Sequence, residues 1–104
     1  FYARELSAYD IDLRIPDPSL QLQVMKGIYL VKSGAVDEGG GLLDHCMGAL
    51  LECGVERVIM GCTEIPFALE QTHSRYSALG MDATEALATA CVQWHATQEK
   101  RGGA

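Results

Sequence analysis

The 104-residue sequence predicts an α/β fold in which helices flank a parallel sheet. Short segments with the alternation or apolar character typical of strands take turns along the chain with longer segments of helical periodicity. This order is typical of parallel strands joined by helices. Hydrophobic residues make up 48% of the chain and charged residues 21%, as in ordinary globular domains. The length suits one hydrophobic core, so residues 1–104 are expected to form one domain.

The first third of the chain predicts a helix, a strand and a second helix. The first helix is predicted from apolar residues at helical spacing, namely Phe1, Tyr2, Leu6 and Tyr9. In the stretch IDLRIP, Ile11, Leu13 and Ile15 then alternate with polar residues, which is the pattern of a strand closed by proline. A second helix is expected from Ser19 to Gly34. Its predicted apolar face consists of Leu22, Met25, Ile28 and Tyr29.

The middle of the chain predicts a loop and then a helix. The run from Gly39 to Gly41 is expected to be a mobile loop, and a phosphate-binding role is disfavoured because no strand precedes it. The strongest helical periodicity in the chain follows, and Gly54 lies where a C-terminal cap belongs. The apolar positions of this helix are Leu42, Leu43, Cys46, Met47, Leu50 and Leu51.

The last part of the chain predicts strand, helix, strand and helix. VERVIM, bounded by glycines, predicts a buried strand, and a helix is expected to begin near Thr63. YSALGM indicates a further short strand. Asp82, with Glu85 three residues later, resembles the capping box that starts a helix. The apolar face of this final helix is predicted to contain Leu87, Ala90, Cys91 and Trp94.

Composition excludes several classes of function. The net charge of -6 and the lack of a basic stripe argue against a nucleic-acid partner. No apolar run approaches the roughly 20 residues that span a bilayer, and no signal pattern is visible, so a cytoplasmic protein is expected. The four cysteines form no C-x-x-C pair, and the three histidines are scattered. Reduced thiols are therefore expected, without a metal site.

The feature that best fits chemistry is the sequence GCTE, from Gly61 to Glu64. Cys62 lies just beyond a predicted strand, and ligands of open α/β sheets bind beyond the carboxyl ends of the strands. The unpaired N–H groups of a helix beginning near Thr63 would stabilise its thiolate form. Such a thiol can take and return a proton. A buried cysteine that only packs is the alternative.

Two signatures, VIMGCTEIPF and GMDATEALA, resemble the aspartate/glutamate racemase family, and FYARELSAYDIDLRIPD and IYLVKSG extend the similarity over nearly all of the chain. The resemblance implies a cofactor-independent racemase with two cysteines on opposite sides of the substrate α-carbon. Cys62 matches the second cysteine, and Thr63 matches the neighbour that holds the substrate carboxylate. Glu64 stands where glutamate-specific members carry His, which implies the aspartate or a broader branch. Glu64 is expected to pair with the substrate ammonium.

The same resemblance places the first catalytic cysteine before Phe1. The chain is therefore expected to be the C-terminal half of a two-domain racemase, inactive alone. The implied partners are a small amino acid or dicarboxylate, the N-terminal half and further copies of the chain. Cys46 and Cys91 are expected to be core residues, and Cys53 is expected to be structural. Two alternatives stay open: a single-cysteine decarboxylase or isomerase of small dicarboxylates, and a non-catalytic acid-binding or assembly module.

Overall fold

The computed structural model describes residues 2–102, which are mostly helical and contain a small parallel sheet. This architecture is compatible with the predicted α/β class, although the sheet is smaller than expected. Phe1, part of the predicted first helix, lies outside the described residues. The helices are α1 (Tyr2–Ser7), α2 (Pro18–Lys32), α3 (Val36–Glu52), α4 (Glu64–Gln71) and α5 (Ala83–Gly102), and the strands are β1 (Val58–Met60) and β2 (Gly80–Asp82).

The two strands confirm the strand predictions for the second half of the chain. They pair in parallel, with Val58 opposite Gly80 and Met60 opposite Asp82. The connection between them consists of α4 and a 3₁₀ turn at Ser77–Leu79, so only the last part of YSALGM is a strand. Because the strands are parallel, their carboxyl ends lie at the same edge of the sheet. The residues that follow β1 are therefore close to Asp82.

Helices α2 and α3 form a hairpin whose core is continuous with the sheet. Both predicted helix stops are confirmed, since Gly34 and Gly54 adopt φ values of +97° and +90°, which suit glycine at a helix end. Leu43 of α3 is 1% exposed, and Met60 of β1 joins the same cluster. The buried members of this cluster are Ile28, Val31, Leu43, Met47, Met60, Ala68 and Leu69.

The expected mobile loop at Gly39 to Gly41 is wrong, because these glycines lie in the first turns of α3. Gly39 is buried where α3 crosses α2. A methyl group added at Gly39 would lie 2.7 Å from the carbonyl oxygen of Gly27 and 2.7 Å from Val31 Cγ2. The absence of a side chain is therefore what allows the two backbones to approach. The glycine run is a packing feature rather than a flexible one.

The predicted apolar face of α2 is wrong for three of its four residues. Leu22 is 72% exposed and Tyr29 is 70% exposed, and Met25 also faces solvent. The helix instead buries Gly27, Ile28 and Val31. The close approach of α3 at Gly27 sets this buried face, and that tertiary contact outweighs the apolar periodicity.

The predicted strand at Ile11 to Ile15 is also wrong, because this segment has no regular secondary structure. Ile15 is 80% exposed and Ile11 is 50% exposed. A strand is stable only when its backbone groups find partners on a neighbouring strand. No strand of residues 2–102 lies beside this segment, since the sheet contains β1 and β2 alone.

Helix α5 begins as predicted but is not buried as predicted. The Asp82 side chain accepts hydrogen bonds from the N–H groups of Thr84 (2.9 Å) and Glu85 (3.3 Å), which confirms its capping role. The prediction that Cys91 is a core residue is wrong, because Cys91 is exposed. Leu87 and Trp94 on the same helix are also exposed, since α5 packs mainly on β2. Within residues 2–102, no helix has both the length and the apolar character needed to cross a bilayer.

Candidate functional site

Cys62 lies in the short turn between β1 and α4, beyond the carboxyl end of the strand. Its side chain is half-buried and packs against the hydrophobic core. Helix α4 begins at Glu64, with Thr63 as its N-terminal cap residue, so the expected helix start is confirmed. The first free N–H groups of α4 follow Cys62 directly in the chain. The turn thus places the thiol at the junction of a strand end and a helix N-terminus.

The three predicted site residues meet at one carboxylate oxygen. Cys62 Sγ donates a hydrogen bond to Glu64 Oε2 at 2.6 Å. Thr63 Oγ1 donates to the same oxygen at 3.1 Å. The Thr63 hydroxyl makes no cap hydrogen bond to the α4 backbone, so it is engaged with Glu64 instead. A thiol that points at a carboxylate has an acceptor for its proton, which suits acid–base chemistry.

Lys32 is a member of this site that the sequence prediction missed. It lies in the last turn of α2, and its Nζ is 3.9 Å from Glu64 Oε1. The only sequence signal for Lys32 was a cation two residues before Gly34, which ends the helix. The rest of that stretch indicates only a helix and its C-terminal cap. The packing of α2 near α4 brings it to Glu64. A cation beside Glu64, in the first turn of α4, makes the site suitable for carboxylate groups.

The hydrogen bond from Cys62 is the main cause of a lowered pKa at Glu64. A backbone hydrogen bond, the Thr63 hydroxyl and the charge of Lys32 lower the Glu64 pKa further, while desolvation raises it by more than either Thr63 or Lys32 lowers it. All of these partners favour the ionised carboxylate. Because the pKa is lowered on folding, the stability that Glu64 contributes is present above the ordinary glutamate pKa. It is lost as the pH falls through the lowered value.

We expect the pKa of Glu64 to rise in Cys62→Ala, because the substitution removes the hydrogen bond with the largest effect on that pKa. The measurement is an NMR pH titration of the Glu64 carboxyl carbon in both proteins. Cys53→Ala is the matched control, since Cys53 is an exposed thiol at the end of α3. An identical Glu64 pKa in wild type and Cys62→Ala would show that the thiol does not bind the carboxylate in solution.

The other three thiols lie in different settings. The prediction that Cys46 is a core residue is confirmed, since it is buried on α3, whereas Cys53 and Cys91 are exposed. Cys53 is the C-terminal cap residue of α3. Among the described residues, none of these thiols hydrogen-bonds to Cys62. The site therefore contains one thiol and one carboxylate acceptor.

We expect Cys46 to be the last thiol alkylated by iodoacetamide in the folded protein. It is 2% exposed, and burial raises the pKa of its thiol, so both access and thiolate formation are reduced. Peptide mass spectrometry at timed intervals locates the label. Labelling of Cys46 as fast as Cys53 would mean that the buried face of α3 opens readily in solution.

The candidate site does not have the composition of a metal centre. Across the described part of the chain, no three His, Cys, Asp or Glu side chains lie close enough together to hold a metal ion. His95 forms an exposed pair with Glu99 on α5. The groups that the structure places around Cys62 are the Glu64 carboxylate, the Thr63 hydroxyl and the Lys32 ammonium group.

Comparison with known proteins shows that this chain has a bacterial relative. The chain is 40% identical over 100 residues to "Uncharacterized protein in pnlA 3'region" from Pectobacterium carotovorum subsp. carotovorum. The match covers 96% of this chain and 67% of that protein. No family model matches the chain, and no solved structure matches it.

Proposed function

This chain belongs to the same family as that Pectobacterium protein, and we propose that it acts as one half of a cofactor-independent amino-acid racemase of the aspartate/glutamate type. In this proposal the chain is the C-terminal half of a racemase-like fold and supplies Cys62 as one of two acid–base groups. The observation that carries the proposal is the hydrogen bond from the Cys62 thiol to Glu64 at the end of β1.

The proton transfers follow from the pairing of Cys62 with Glu64. With its proton on sulfur, Cys62 acts as an acid and delivers that proton to the carbanion formed at the substrate α-carbon. In the opposite direction, the Cys62 thiol loses its proton to solvent while Glu64 stays ionised, and the resulting thiolate removes the α-proton of the substrate. That removal leaves the electron pair on the α-carbon and restores the thiol. Proton transfer by a positioned side chain typically contributes about 10²- to 10⁴-fold to a rate.

Substrate binding uses the positive side of the site. The N–H groups at the start of α4 and the Thr63 hydroxyl hold one carboxylate of the substrate, as a helix N-terminus does for other anions. Lys32 holds the second carboxylate of a dicarboxylic amino acid. To do so, its ammonium group gives up the long 3.9 Å contact with Glu64 Oε1. Glu64 Oε1, freed in this way, is available to the substrate ammonium. The preference for acidic amino acids follows from the two carboxylate-binding groups.

Racemisation needs a second acid on the opposite face of the α-carbon. Cys46, buried in α3, cannot fill this role, and among the described residues neither of the exposed thiols, Cys53 and Cys91, hydrogen-bonds to Cys62. We therefore assign the second acid to another polypeptide segment, an N-terminal half of the enzyme. The chain by itself provides chemistry at one face only.

The test is isotope exchange in heavy water. The 104-residue chain is incubated with L-aspartate in D₂O, and α-deuterium is measured by NMR while chiral chromatography measures D-aspartate. We expect Cys62-dependent deuterium incorporation with no D-aspartate, because one face can exchange but the other cannot be protonated. Release of CO₂ or formation of an isomer would favour a single-cysteine decarboxylase or isomerase.

The control variant is Cys91→Ala, which removes an exposed thiol outside the site. It is expected to exchange deuterium at the wild-type rate. If the wild-type chain neither exchanges the α-proton nor shows shifted backbone resonances at Thr63 on addition of aspartate, the proposal fails. Binding without exchange would instead support a non-catalytic acid-binding module.

A further inference from the structure

An open cleft lies at the opposite end of α4 from Cys62. It is bordered by α3 and by the turn that follows α4, and its volume is about 390 Å³. Helix α4 is 8 residues long, so about 12 Å of helix separates the cleft from the turn that contains Cys62. The residues that line the cleft are Gly41, Asp44, Thr72, His73, Ser74 and Arg75.

Two neighbouring glycines of α3 give the cleft its shape. A methyl group added at Gly40 would lie 2.5 Å from Thr72 Cγ2, so the missing side chain lets the end of α4 approach α3. A methyl group added at Gly41 would meet no atom within 4 Å. Gly41 therefore leaves open a space that a larger side chain would fill.

Asp44 contributes a half-buried carboxylate to the cleft. Its Oδ1 accepts a hydrogen bond from the Ser74 hydroxyl, which itself accepts one from the N–H group of Tyr76 at 3.2 Å. Among the described residues, Asp44 Oδ2 accepts no hydrogen bond, and no cation lies within ion-pair distance of this carboxylate. One oxygen is thus held in place while the other is available to a cationic group, with which a carboxylate forms its strongest hydrogen bonds.

Tyr76 holds the guanidinium group of Arg75 beside the same face of α3. Arg75 Cζ lies 4.8 Å from the centre of the Tyr76 ring, and Nη2 donates to the Tyr76 hydroxyl at 2.8 Å. That hydroxyl lies against Gly48, where an added methyl group would be 3.1 Å from it. Gly48 is one helical turn after Asp44, a separation of roughly 5–6 Å. In the described part of the chain, Arg75 has no carboxylate partner, so its remaining N–H groups are available.

We propose that this cleft binds a free α-amino acid as a zwitterion, with its ammonium group on Asp44 and its carboxylate on Arg75. An α-amino acid carries both charges on one carbon, which suits an acceptor and a bidentate donor about one helical turn apart. The described lining residues include no large apolar side chain, so small or polar amino acids fit best. The site does not involve Cys62, so the proposal stands or falls independently of the proposed racemase function.

The test is an NMR titration of the ¹⁵N-labelled chain with glycine, which carries both charges and has no side chain. We expect the amide resonances of Gly41, Ser74 and Arg75 to shift together, with one dissociation constant in the millimolar range. Acetate and methylamine each carry one of the two charges. Each should bind at least about ten-fold more weakly than glycine, the equivalent of roughly 1.4 kcal/mol.

Asp44→Asn removes the charge but keeps an oxygen that accepts from Ser74, and it should weaken glycine binding at least about ten-fold. Asp37→Asn is the matched control, since it removes an exposed carboxylate from α3 outside the cleft. Gly41→Leu fills the cleft without removing a polar group, and it should also abolish binding. Circular dichroism checks that each variant is folded.

The absence of saturable shifts at the cleft in the wild-type chain would overturn the proposal. Shifts confined to Thr63 and its neighbours would also overturn it, because glycine would then bind at the Cys62 turn alone. Equal weakening by Asp44→Asn and Asp37→Asn would show that only net charge matters, which contradicts a defined site. Unchanged binding in folded Gly41→Leu would likewise contradict it.

Discussion

Cys62→Ala is expected to abolish racemisation in the proposed racemase, assayed with the N-terminal half that the proposal assigns to the second acid. The loss should be roughly 10³-fold or more in kcat/KM, the scale typical of a removed acid–base group. The fold should survive, because the side chain lost is small and only half-buried. Chiral chromatography of aspartate measures the activity, and circular dichroism measures the fold.

The matched controls are Cys53→Ala and Cys91→Ala, which remove exposed thiols from α3 and α5. Both should retain the wild-type rate within a factor of about two. Cys62→Ser keeps the hydrogen bond to Glu64 but replaces the thiol by a much weaker acid, and should also be nearly inactive. Substantial activity in Cys62→Ser would mean that the group at this position holds the substrate and does not transfer the proton.

Gly39→Ala is expected to destabilise the chain by about 1–3 kcal/mol, because overpacking a close helix crossing forces the helices apart. The added methyl group would meet the carbonyl oxygen of Gly27 and the backbone nitrogen of Val31, and neither can move without shifting α2. Urea denaturation followed by circular dichroism measures the free energy of unfolding.

Gly41→Ala is the control, since it lies on the same helix with no atom near the added methyl group. It should leave stability unchanged or raise it by up to about 1 kcal/mol, because alanine is the better helix former. Equal destabilisation by both substitutions would indicate that the effect arises within α3 itself. It would also show that α2 and α3 are further apart at Gly39 than the 2.7 Å contacts indicate.

The elements that local patterns predict correctly are those whose determinants lie next to them in sequence. The cap at Asp82, the glycine stops at Gly34 and Gly54, and the strand that ends before Gly61 all depend on neighbouring residues. The junction that positions Cys62 was predictable for this reason. Because the strand ends at Met60 and the helix starts at Glu64, the turn between them can adopt few backbone conformations.

The errors concern contacts made across the chain. From sequence alone, the glycines around Gly39 indicate a loop. Their packing role depends on the contact between α2 and α3, and the buried face of α2 depends on the same contact. The segment from Ile11 to Ile15 has the alternating sequence pattern of a strand. A strand also requires a neighbouring strand for its backbone hydrogen bonds, and the pattern does not show whether one is present. Lys32 was missed for the same reason, since nothing local links it to Glu64.

The hairpin of α2 and α3 also bears on the order of folding events. Its helices are joined by the three residues between Lys32 and Val36, so most of their contacts close short loops. Pairing of β1 with β2 must instead wait for closure of a loop that contains all of α4 and the 3₁₀ turn. Contacts between residues close in sequence form faster than distant ones. We therefore expect the hairpin to form the folding nucleus, with Gly39→Ala slowing refolding and with the turn around Cys62 assembling last.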